Sequence, residues 1–227
     1  MYIVFHDESS LLCSYLVMEK SELLSSMSCF SDNDTQPIRL PEFITRKVFS
    51  DIIIILECEN YHYIQYCDIL YIANILIAAD FLLINQVVPK LQVFVEEKLT
   101  YTNSFDVFKY LHKISYLHRT IQKCVDMIMT ALESVYNNEL YRLNSEDPYI
   151  SKYTSMHVNE IRGVIFLSSR RSTLAKILFF KNWWKCNKDP AFKEEIFEIF
   201  EKINEDAAYI PRQHIIFMRE IRKAFTN

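Results

Sequence analysis

The chain reads as an α+β protein that is mainly helical: a three-stranded sheet with helices in its first part, then an all-α region. Two observations carry this. Short β-branched and aromatic runs occur near the start, while later apolar residues recur at spacings of three and four. One glycine, Gly163, serves 227 residues, against a usual share of about 7%. Few glycines mean few tight turns with positive φ, so helices joined by longer polar connections are expected.

In chain order, Tyr2–Phe5 reads as a strand and His6–Ser10 as a turn. Leu11–Met18 reads as a second strand, closing a hairpin. Ser21 is a good N-cap for the short helix SELLSSMSCF, and residues 31–35 form an exposed loop. Residues Pro37–Leu40 give a third strand, Thr45–Cys58 a strongly apolar helix, and Tyr61–Tyr66 a connector. Ile69, Ile72, Ala73, Leu76, Ala79 and Leu83 then share one helix face, with Ile75, Ala78 and Leu82 adding a second. That helix is expected to be buried on most sides. After Asn85-Gln86 a second stripe runs from Val87 to Val95, with Pro89 tolerated in its first turn.

The paired helices resemble the helical hairpin of the BTB/POZ fold. The matching residues are Leu76, Ala78, Ala79, Phe81, Leu82, Ile84 and Val87. The small alanines allow close helix approach, and positions 81, 82 and 84 are expected to fill the break. MYIVF and IRLPEFITRKVFSDIIIILE also fall where that family would place them. The resemblance covers residues 1–99 and is closest to the short members, elongin C and the SCF linker subunit. The extra helix and strand that swap between protomers in long members have no counterpart here.

Residues 100–227 resemble a divergent BACK region. Phe105, Phe108 and Leu111, then Leu117, Ile121, Val125 and Ile128, mark two helices around a break near Ser115. Leu174–Trp184, Glu195–Ile203 and Pro211–Arg222 mark three more, and between Tyr141 and Arg171 the pattern is poor. No propeller repeat or zinc finger follows.

The resemblance implies a non-enzymatic interaction module, an adaptor of a cullin-type ubiquitin ligase. Its partners would be a cullin and a substrate protein, with homo- or hetero-oligomers through the BTB part. BTB adaptors often carry a hydrophobic-x-acidic triplet after the helix preceding the third strand, and Phe30-Ser31-Asp32 matches it in place and type. An exposed aromatic can fill a pocket on a helical partner and an acid can pair at its rim. The alternative is that Phe30 closes the helix on its own domain. A decoy that binds a cullin or BTB partner without delivering substrate is a second role. Richness in Ile, Asn, Lys, Tyr and Phe is what an AT-rich genome gives, and large DNA viruses with such genomes carry BTB-BACK proteins.

Other constellations are weaker. One glycine cannot write a phosphate-binding loop, so no nucleotide cofactor is expected. A net charge of −4 with no long basic run disfavours nucleic acid. Cys58, His62 and Cys67 have metal-ligand types but no evident fourth ligand, so no metal is expected. His112 and His118 do not share a helix face, and no catalytic set follows from their spacing. Glu96-Glu97 and Glu194-Glu195 read as solvated faces. Trp183 and Trp184 sit about 100° apart on a helix; burial between helices is the preferred reading, and the alternative leaves one of them partly exposed as a partner surface. The six cysteines read as reduced, buried residues of a cytoplasmic or nuclear protein, since no signal-peptide pattern opens the chain. Residues 69–88 are long enough to span a membrane, but Asp80 near a span centre would cost about 2.5–3.5 kcal/mol. An enzyme with an unrecognised helical site is the rival from another class.

Overall fold

A computed structural model describes residues 2–30, 37–59, 61–112, 117–137, 148–168, 171, 173–205, 215, 216, 219, 221 and 223. The chain is mainly helical with a small mixed sheet, and it divides into two compact units. The first holds Met1–Leu99 and Lys113–Thr120, the second Thr100–His112 and Ile121–Asn227.

In the first unit, β1 (Tyr2–Val4) pairs antiparallel with β2 (Ser10–Leu12) and parallel with β3 (Ile38–Arg39), giving the order β2-β1-β3. Glu8 turns the hairpin at a φ of 61°, while Asp7 accepts from the Ser9 amide. With one glycine available, this αL position falls to a non-glycine residue. The second strand stops at Leu12, and Tyr15–Lys20 is helix α1 rather than strand. Leu11-Leu12-Cys13-Ser14-Tyr15-Leu16-Val17 fits both periods. Cys13 and Val17 are buried while Tyr15 between them, which a strand would put on the same face, is 81% exposed, so the burial pattern fits the helix and not the strand.

Helix α2 (Glu22–Phe30) starts at the expected cap: Ser21 Oγ accepts from the Leu24 amide at 3.1 Å. Helix α3 (Arg46–Cys58) starts at Thr45, whose side chain accepts from the Val48 amide. Glu59 ends it in the αL region at a φ of 49°. The connector holds one 3-10 turn, Ile64–Tyr66, with Ile64 fully buried. Tyr71 OH donates to the Asp51 carboxylate and Tyr63 OH to the Asp51 carbonyl, so both tyrosines are pinned to α3. Helix α4 (Ile69–Phe81) buries Ile69, Ile72, Ala73 and every residue from Ile75 to Ala79. It packs on α3 and on α5 (Val88–Lys98), whose first turn carries Pro89.

The second unit comprises α6 (Ser104–Leu111), α7 (His118–Asn137) from residue 121 on, and α8 (Pro148–Thr154). Then follow α9 (Val158–Leu167), α10 (Thr173–Cys186), and α11 (Lys193–Glu205) after a 3-10 turn at Pro190–Phe192. Much of the helix expected over Pro211–Arg222 lies outside the described residues. Where the sequence pattern is poor, α8 and α9 nevertheless form. His157 accepts from the Asn159 amide while Glu160 accepts from the His157 amide, a capping box with an unusual first member. Gly163 lies in α9, where an added Cβ would come within 3.2 Å of the Phe108 ring. The glycine is spent on a close helix approach rather than a turn. Arg171 ties this segment to α7, donating to Glu133 Oε2 and the Asp126 carbonyl, each at 2.8 Å.

Candidate partner-binding surface

Phe30 is the last residue of α2. Its side chain lies outside the described residues, as do Ser31 and Asp32. At the other end of α2, two bonds fix the helix to the break between α4 and α5. Ser21 Oγ donates to the Leu82 carbonyl at 2.5 Å, and Asn85 Nδ2 donates to Glu22 Oε1 at 3.0 Å. A nine-residue helix rises about 12 Å from its first residue to its last, which sets the distance of the Phe30 backbone from this anchor.

The break is a Schellman motif. The Ile84 amide donates to the Ala79 carbonyl and the Leu83 amide to the Asp80 carbonyl, both at 2.9 Å. Leu83 occupies the αL position at a φ of 54°, where glycine is usual. Leu82 and Ile84 are fully buried, as expected of the residues filling the break. Phe81 is not: it is 41% exposed, and its ring meets that of Phe43 edge-on at 5.5 Å. Leu83 is 43% and Phe43 37% exposed. A leucine held in αL with its side chain in water is strained, by roughly 1–2 kcal/mol. Leu83→Gly is therefore expected to stabilise the first unit by about 1 kcal/mol in chemical denaturation, and a loss of stability would contradict the strain.

Asp80 precedes Phe81 in the last turn of α4, partly buried, and burial alone raises its pKa above the ordinary carboxylate value. A carboxyl with a raised folded-state pKa binds protons more tightly when folded. Stability is thus highest below the unfolded value and falls as pH rises through the folded one. Asp80→Asn is expected to raise the melting temperature at pH 7 and to leave it nearly unchanged at pH 3; the reverse order would contradict this. This end of α4 thus carries a partly desolvated carboxylate at Asp80 in the same turn as the exposed Phe81 and Leu83, a set that matches a partner bringing a cation and apolar side chains together.

The other sequence candidates resolve differently. Trp184 is as enclosed as Trp183: they are 7% and 1% exposed, so the pair presents no partner surface. Helix α10 is apolar on several sides. Phe180 stacks on Trp183 and meets Phe200 of α11 edge-on, while Trp183 Nε1 donates to the Met156 carbonyl at 2.8 Å. A helix enclosed on several sides buries neighbours 100° apart. Glu96 is buried rather than solvated, accepting from Arg119 Nη2 and Thr120 Oγ1, while Glu97 and Glu194 are exposed. Three cysteines, Cys29, Cys58 and Cys186, are exposed rather than buried, and all six are free.

Cys58 is exposed, Cys67 donates to the Tyr63 carbonyl, and His62 pairs with Gln65. Among the described residues no group of three His, Cys, Asp or Glu is placed to hold a metal. His112 stacks on Phe108 with Nδ1 beside the Lys109 carbonyl, and His118 is exposed. Among the described residues no helix is long and apolar enough to cross a membrane.

The surface at the break was missed from sequence because Phe81 and Leu83 sit inside an apolar run. The signal available was the absence of glycine at the helix end, which forces a leucine into αL. Neither a scan against protein-family models nor a search of curated proteins finds a match to the chain.

Proposed function

We propose that the chain is a non-enzymatic protein-interaction module of the BTB-BACK kind, acting as adaptor of a cullin-type ubiquitin ligase in the cytoplasm or nucleus. The observation that carries it is the layout of the first unit. An antiparallel hairpin, two short helices, a third strand parallel to the first, a long helix and a closing helical hairpin follow in that order. The BTB/POZ resemblance implies strand, strand, helix, strand and three helices; the first unit follows that order with one further short helix, α1, in place of the end of the expected second strand.

The surface at the α4–α5 break gives this reading a docking place. Phe43, Phe81 and Leu83 offer apolar area, and Asp80 offers a desolvated charge. Protein interfaces concentrate their energy in such aromatic anchors, with charge setting orientation. The all-α second unit would hold or orient a target. The test is co-purification of a cullin with the intact chain and with Phe30→Ala, Asp32→Ala. Loss of the cullin with an unchanged circular-dichroism spectrum is expected. Undiminished recovery would remove the triplet from the contact.

A further inference from the structure

We infer that the β2 edge of the sheet pairs with the same edge of a second copy, joining two three-stranded sheets into one. The inference does not rest on the adaptor reading. It starts from the register of the hairpin. The pairs are Tyr2 with Leu12, Ile3 with Leu11 and Val4 with Ser10, and the Phe5 amide donates to the Ser9 carbonyl at 2.9 Å. That single bond sets the phase of the ladder at Phe5 and Ser9, where the turn takes the other two groups: the Phe5 carbonyl accepts from the Glu8 amide and the Ser9 amide donates to Asp7.

Hydrogen-bonded and non-hydrogen-bonded pairs alternate along an antiparallel ladder. Ile3 and Leu11 are therefore the next bonded pair, and Val4 and Tyr2 turn their main-chain groups away from β2. The Val4 carbonyl accepts from Leu40 on the β3 side, as this phase requires. By the same alternation Ser10 and Leu12 aim their N–H and C=O groups outward, from the edge strand of the sheet.

Those outward groups are self-complementary. In an antiparallel pairing centred on Leu11, Ser10 lies opposite Leu12 of the second copy and Leu12 opposite its Ser10. Every outward residue of β2 then meets an outward residue, and each pair exchanges both its bonds. A two-fold axis through Leu11 generates this contact, which makes it closed. Shifting the register by two residues loses one of the two bonded pairs.

The side chains favour the same occupant. Edge strands are ordinarily protected by charge, proline or a covering element. From Ser9 to Met18 this chain has no charged residue and no proline. Two copies with a net charge of −4 repel over most of their surface, and this stretch is exempt. Leu12 is 62% exposed, its cross-strand neighbour Tyr2 56%, and Tyr15 81%. Pairing the edges brings Leu12 and Tyr2 of both copies onto one face, with the two Leu12 side chains in diagonal reach of one another.

Sedimentation velocity on the full chain, up to about 200 µM because a contact this small belongs to the weak class, tests the inference. The parent chain is expected to approach dimer mass. Leu12→Pro removes an outward N–H while keeping an edge position that tolerates proline. Leu12→Lys adds an edge charge. Both variants are expected to stay monomeric with the parent's circular-dichroism spectrum. Hydrogen exchange on the parent gives a second readout: the Ser10 and Leu12 amides are expected to slow as concentration rises. A parent that is monomeric throughout, a dimer that survives both substitutions, or Ser10 and Leu12 exchange independent of concentration would overturn it.

Discussion

Trp183→Ala is expected to destabilise the second unit by about 3–5 kcal/mol. Trp183 is 1% exposed and stacks on Phe180, so truncation leaves a cavity that the surrounding helices fill only in part. The indole N–H also satisfies the Met156 carbonyl at the turn before α9. Without it a buried acceptor loses its donor, at a cost of about 1–3 kcal/mol within that total. Domains are stable by about 5–15 kcal/mol, so the variant unit should be near its folding threshold. Trp183→Phe keeps most of the bulk and loses the bond, and should cost clearly less than the alanine. Urea denaturation followed by far-ultraviolet circular dichroism measures both. A loss below about 1 kcal/mol for the alanine variant would contradict the enclosed position of α10.

Asp80→Lys combined with Phe81→Ser is expected to weaken partner binding by about 100-fold or more while the fold stays intact. Each site, if it anchors the contact, is worth at least about 1.4 kcal/mol, and each such step is tenfold. Phe81 is part-exposed, and burial holds the Asp80 pKa up rather than a bond holding it down. Neither substitution opens a core cavity. Replacing the acid by lysine also sets like charge against a cationic partner, which adds repulsion to the lost attraction. The measurement is a titration of the two proteins by calorimetry, with thermal melts of the variant alongside. An affinity within threefold of the parent would move the contact elsewhere.

Helices α3, α4 and α5 were legible because their apolar stripes are long and end at recognisable signals: Thr45 as cap, Pro89 in a first turn. The segment after Leu12 was not, because its apolar residues satisfy both periods and only the exposure of Tyr15 between the buried Cys13 and Val17 decides between them. Helices α8 and α9 were obscured by polar residues whose roles are structural: the His157–Glu160 box and the Gly163 contact with Phe108. Glu96 reads as surface until Arg119 and Thr120, more than twenty residues on, are brought against it. The candidate surface was hidden for a related reason. Leu76–Ile84 reads as continuous core, yet Phe81 at the end of α4 and Leu83 in the αL turn are exposed while Leu82 and Ile84 go in.

The decisive measurement is affinity capture from cell extract with the intact chain and with its Asp80→Lys, Phe81→Ser variant, scored by mass spectrometry for cullins and their RING subunit. A cullin with its RING subunit, recovered by the parent and lost by the variant, is the predicted result. Capture without any cullin, or equal recovery by both chains, would contradict the adaptor reading and its docking surface.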